Sequence, residues 1–108
     1  FRKYAQENSE RKVIFVTHNV PYHTQLDKIG KHAHTLVREK HYGSKLVRRI
    51  IERWQPLLHV GGHIHEGRGM QKLGRTLCVN PGAVHEGHFA IVEIGEGKKG
   101  KVKVRFYH

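Results

Sequence analysis

Apolar residues gather in short β-branched runs in the first half of the chain and alternate with polar ones near its end. Residues 13–17 (VIFVT) form a continuous apolar stretch, which predicts a buried strand. Residues 43–56 (GSKLVRRIIERWQP) change the period to that of a helix. Leu46, Val47, Ile50, Ile51 and Trp54 fall on one face, and Arg48, Arg49, Glu52 and Arg53 on the other. Ser44 is a good N-cap and Pro56 ends the helix. Residues 57–61 (LLHVG) predict a second buried strand. Residues 69–73 and 76–80 read as a hairpin turning at Gly74 and Arg75. Residues 88–94 and 101–108 alternate with period two around GEGKKG, a second hairpin. The order strand, helix, strand, then antiparallel strands defines an α/β class: a βαβ unit followed by antiparallel strands. Residues 1–12 read as the end of a helix or a linker. Residues 18–23, with Pro21, read as a loop, and 24–42 stay ambiguous around Gly30.

At 108 residues the chain is the size of about one small domain. No apolar run approaches the roughly 20 residues of a spanning helix, and no signal-peptide pattern opens the chain, so no membrane association is expected. Cys78 is the single cysteine, which excludes an internal disulfide and suggests an inert buried thiol in a reducing cytoplasm. Twenty Lys and Arg against nine acids give a formal charge of +11, which keeps nucleic acid open as a partner. The run KKGKVKVR (98–105) adds to this, but aromatic residues do not interleave with its charges as stacking platforms do. A lysine-protected hairpin edge is the plainer reading. Asp27 is the chain's single aspartate.

The chemistry concentrates in HVGGHIHEGRG (59–69), where three histidines stand among four glycines. If strands 13–17 and 57–61 are parallel neighbours, ligands bind beyond their carboxyl ends. His18 is the first residue after one strand, and His63 and His65 closely follow the other. All three then leave the same edge of the sheet. In extended backbone His63 and His65 project to one side, a pair able to address one metal or two neighbouring ones. Gly61, Gly62, Gly67 and Gly69 let the loop bend around an ion. His32 and His34 have the same spacing, but on a helix they would face nearly opposite ways and are read as non-ligands.

These residues resemble the calcineurin-like metallophosphoesterases. Gly62-His63-Ile64-His65 matches that family's last Gly-His-x-His motif, and VIFVTHNVP matches the strand that ends in a ligand histidine, here His18. HYGS before the helix, QPLLHVGGHIHEG and VNPGAVHEGHFAIVEI resemble the compact bacterial and archaeal members. The resemblance implies the C-terminal half of a four-layer αββα sandwich. Residues 1–108 would be the C-terminal portion of a single domain whose N-terminal portion lies outside this chain. It also implies a phosphoesterase that hydrolyses a phosphomonoester or phosphodiester through two divalent metal ions. His18 and His63 would bind one ion and His65 the other. Imidazole ligands suit Mn, Fe, Zn or Ni. The family's Asp-x-His, Gly-Asp and Gly-Asn-His motifs do not occur here, so a bridging carboxylate and the expected general acid would come from the N-terminal segment. This chain alone is therefore not expected to be competent.

His23, His41 and His85 sit in loops able to reach a phosphoester substrate. His59 alternates with Leu58 and Val60 and reads as a packed, hydrogen-bonded strand residue. Glu66 is either a partner of a ligand imidazole or a solvent-facing acid, and Asn80-Pro81-Gly82 a supporting turn. Two further readings stay open. One is a basic nucleic-acid-binding module, whose binding must weaken with salt. The other is a mononuclear zinc site of His18, His63, His65 and water.

Overall fold

Two parallel strands joined through a helix organise the first half of the structure, a computed structural model that describes residues 2–7, 11–29, 40–96 and 100–108. Helix α1 (Arg2–Glu7) precedes strand β1 (Ile14–Val16). Helix α2 (Lys45–Trp54) leads to β2 (Leu58–Val60), which pairs parallel with β1 so that Val16 faces Val60. Strands β3 (Gly69–Leu73) and β4 (Thr76–Asn80) form the first hairpin, and β4 lies parallel to β2. The resulting sheet has the order β1-β2-β4-β3. Strands β5 (Phe89–Ile94) and β6 (Val102–Tyr107) pair antiparallel as a separate two-stranded sheet. The expected βαβ unit followed by antiparallel strands is the observed architecture. Residues 97–99 of the lysine-bearing turn, and His32 and His34, lie outside the described residues.

Capping fixes α2 at both ends. Ser44 Oγ accepts from Val47 N at 3.1 Å, satisfying one of the free donors of the first turn. Gln55 ends the helix in the left-handed region at φ 47°, just before Pro56. Its side-chain amide donates to Ile51 O and Leu73 O, and its Oε1 accepts from Arg75 N at 2.6 Å. One side chain thus ties the helix end to the β3–β4 turn.

Val47 and Ile51 drop from α2 into a core with Val20, Leu26, Ile64, Leu73 and Cys78. The buried row is narrower than the apolar face of the sequence suggests: Leu46 is 59% exposed. Positions four apart share a helix face, whereas Leu46 is turned about 100° from Val47. Arg48, expected on the solvent side, folds over the loop before the helix and donates to Tyr22 O and His23 O, both at 3.0 Å.

Strand β1 corrects a second expectation. Ile14 and Val16 are 49% and 68% exposed, and only Phe15 between them packs against the core. A β-branched run favours a strand, but cover on each face depends on neighbouring layers. β1 stands at the edge of its sheet. Cys78, by contrast, is fully buried, and burial pushes its thiol up to about 12, so it is inert at neutral pH. Among the described residues, no helix is long and apolar enough to cross a membrane.

Candidate metal centre

The loops leaving β1 and β2 touch backbone to backbone. Gly62 N donates to His18 O at 2.9 Å. A Cβ on Gly61 would lie 2.3 Å from Asn19 O, so that position has no room for a side chain. This approach brings His18 and His63 together: His18 Nε2 and His63 Nδ1 are 3.0 Å apart, and the ring centroids 4.7 Å. His63 adopts φ 68°, a left-handed conformation that costs an ordinary residue energy and aims its ring back at His18. Both rings are exposed. Two imidazole nitrogens about 2.1 Å from one ion, in tetrahedral or octahedral geometry, stand roughly 3.0–3.4 Å apart. The observed separation fits a shared divalent ion.

The backbone through His63 and His65 is not the extended one that would place both on one side. His63 is left-handed, and His65 opens a short 3-10 turn, His65–Gly67. Ile64 between them is buried in the core, which leaves its two neighbours facing outward. His65 Nδ1 lies 3.0 Å from Glu86 Oε1, and His85 Nε2 lies 3.7 Å from the same oxygen. The ligand atoms of His65, His85 and Glu86 all fall within 4.8 Å of one another. The structure therefore brings His18 to His63, and His65 to His85 and Glu86. Glu86 was not singled out in the sequence, and its partner lies 21 positions away, beyond any local motif.

Asn80 supports this region as the turn reading expected. Its side-chain amide donates to Ile64 O at 2.8 Å and Leu26 O at 3.3 Å, while Oδ1 accepts from Gly82 N at 3.1 Å. Gly82, at φ 86°, completes the turn. Beneath the rim sits His59, fully buried. The Thr17 hydroxyl donates to Asn19 O at 2.6 Å, so it must accept from His59 Nε2–H at 2.8 Å. That leaves His59 Nδ1 as a buried lone pair without a partner among the described residues. Burial lowers the His59 pKa to about 4, so the ring is neutral and props the Thr17–Asn19 turn beside His18.

His23 and His41 belong to a second cluster, built on Asp27. This carboxylate is fully buried. Oδ2 accepts from His23 N at 2.8 Å and Gly43 N at 3.0 Å, and Oδ1 from Thr24 N at 2.9 Å and His41 Nδ1–H at 2.5 Å. The His23 and His41 rings lie 4.5 Å apart. The sequence offers Asp27 only as an isolated acid, because two of its donors lie 14 and 16 residues away. Asn19, next to His18, donates to Tyr42 O, next to His41, at 3.2 Å, so the two histidine clusters share a wall.

Residues 2–104 match the metallophosphoesterase family of the calcineurin superfamily, and the chain belongs to that family. It is 37% identical over 73 residues to the uncharacterized protein MJ1162 of Methanocaldococcus jannaschii, a match covering 66% of this chain and 31% of that protein. It is 28% identical over 75 residues to the UPF0046 protein K07C11.7 of Caenorhabditis elegans, covering 69% and 23%. A solved crystal structure superposes on 99% of this chain with a TM-score of 0.66 and 28% identity, using 37% of its own length. The match supports the mixed α/β metallophosphoesterase fold. The chain thus spans between 23% and 37% of the length of the relatives it matches.

Proposed function

We propose that this chain supplies the histidine side of a dinuclear metal centre that hydrolyses phosphomonoesters or phosphodiesters in the complete protein. The observation that carries this reading is the 3.0 Å approach of His18 Nε2 to His63 Nδ1, inside a chain of metallophosphoesterase sequence. His18 and His63 hold one ion. His65 holds the second, with Glu86 and His85 close enough to share or orient it. When bound, two divalent ions supply Lewis-acid charge to the phosphoryl oxygens and an activated water for in-line hydrolysis. The chain's own residues do the positioning. Asn80 fixes the carbonyl of Ile64 between the two ligand histidines, and His59 holds the Thr17–Asn19 turn beside His18.

Neutral imidazoles leave most of the charge on two divalent ions uncompensated. A bridging carboxylate and the general acid then come from an N-terminal segment of the same fold, which is the first partner of this chain. The exposed apolar side chains of Ile14 and Val16 on an edge strand are where further layers of a larger protein would pack. The ligand set accommodates Mn, Fe, Zn or Ni.

The test is hydrolysis of an aryl phosphomonoester and an aryl phosphodiester by the complete protein with added Mn. His18→Ala and His63→Ala should each lower turnover by about two orders of magnitude or more, exceeding the usual loss from a residue that only supports a ligand. Full turnover in His63→Ala would remove the assignment. Metal analysis that returns one ion per protein would favour the mononuclear site instead.

A further inference from the structure

We propose that the pocket ringed by His23, Thr24, Gln25, Lys28, His41 and Gln71 is a specificity subsite for a hydroxyl-bearing alcohol portion of the phosphoester, with His41 Nε2 hydrogen-bonded to a substrate hydroxyl. The proposal rests on the phosphoesterase reading above and names its substrate class. The cavity measures about 230 Å³, and every side chain around it is polar. It has room for about eight waters at their liquid volume and lies below the ~300 Å³ at which pockets for drug-sized ligands begin. It fits one sugar-sized fragment.

What distinguishes this pocket from a solvated crevice is its fixed hydrogen-bonding pattern. Buried Asp27 holds His41 through Nδ1–H, which leaves Nε2 as the ring's second hydrogen-bonding nitrogen. The Asp27 carboxylate is locked in turn by three backbone donors. Gln71 Oε1 accepts from Gln25 N at 2.7 Å, so the Gln71 side chain presents its amide N–H groups as donors. The Thr24 hydroxyl is already committed to Pro21 O and Leu26 N. A held ring nitrogen beside a fixed amide donor suits a hydroxyl, which both donates and accepts. The His23 ring supplies a flat wall, and its backbone is held at φ 58° with its N–H on Asp27. The Asn19–Tyr42 hydrogen bond joins the loop that carries His18 to the segment that carries His41. A substrate whose phosphoryl group sits at the histidine pair can therefore extend its alcohol portion toward His41.

The complete protein should be assayed on methyl riboside 5-phosphate and on its 2,3-dideoxy analogue, whose leaving groups are both primary 5-alkoxides and differ only in the ring hydroxyls. The hydroxylated substrate should have a kcat/KM at least tenfold higher, because a site built around a hydroxyl leaves polar groups unpaired when it is missing. His41→Ala should reduce that ratio to within twofold of unity, chiefly through the KM of the hydroxylated ester. His41→Asn, whose side-chain amide reaches Asp27 as Nδ1 does but lacks a group at Nε2, serves as a second variant should the first fail to fold, with the same collapse of the ratio expected. A wild-type ratio near one, an unchanged ratio in the variants, or equal losses on both esters would overturn the subsite. Binding independent of hydrolysis is read from the His41 ring ¹⁵N resonances on addition of methyl riboside and, separately, of inorganic phosphate. A response to the riboside without hydrolysis of any ester would preserve the subsite and discard the phosphoesterase reading. A response to phosphate alone, or to neither, would discard the subsite.

Discussion

The two histidine clusters of this protein share a wall and are built on opposite principles. The His23–His41 cluster surrounds a fully buried carboxylate with four donors, so its geometry is complete without any ligand. The His18–His63 pair is exposed, held by glycine-rich backbone, and joined by a single contact between two rings. Protonation of both rings would set like charges against each other there, whereas a divalent ion would satisfy both nitrogens at once. One cluster is preorganised by the fold, and the other would, in the proposed function, be completed by a cation.

The sharpest way to break this contrast is to remove each centre in turn. Asp27→Ala strips the partner from four donors in a buried site and should lower unfolding free energy by about 3–5 kcal/mol in denaturant titration. His63→Gly should do the reverse of what a structural residue does. With its left-handed φ relieved, stability should stay unchanged or rise by up to about 1 kcal/mol, while metal-dependent turnover is lost. Equal stability losses in the two variants would erase the distinction.

Acid should act through the layer beneath the rim. His59 titrates near 4 in the folded chain, against an ordinary 6.5. The unfolded state therefore binds its proton first, so stability is full above about pH 6.5 and falls as pH drops toward 4. The loss at the acid end is about 3 kcal/mol, order of magnitude. A His59→Gln variant should show a flatter profile over that window, and an unchanged slope would contradict the assignment of His59 as the buried neutral ring. A smaller effect, about 1–3 kcal/mol, is expected for Gly67→Ala, whose Cβ would stand 1.8 Å from Leu26 O where the metal loop crosses the Asp27 loop.

Legibility in the sequence followed the range of each interaction. Helix α2, its Ser44 cap and both hairpins rest on periods and turn residues within a few positions, and they appear where the pattern puts them. The approach of His18 to His63 was legible because strand order in a βαβ unit fixes which loops meet. Alternation failed between His63 and His65 because buried Ile64 and a left-handed residue replace extended backbone. Exposure along β1 was invisible because it depends on which layers flank the strand. Asp27 and Glu86 carry no local signature, since their partners come from distant loops.

The most direct test is a zinc titration of the complete protein followed by the ring ¹⁵N resonances of its histidines. Cation binding at the exposed rim requires His18 and His63 to shift together at substoichiometric metal, with His65 following and His41 unmoved on Asp27. Zinc that leaves His18 and His63 unchanged, or that reaches His41 first, would contradict it.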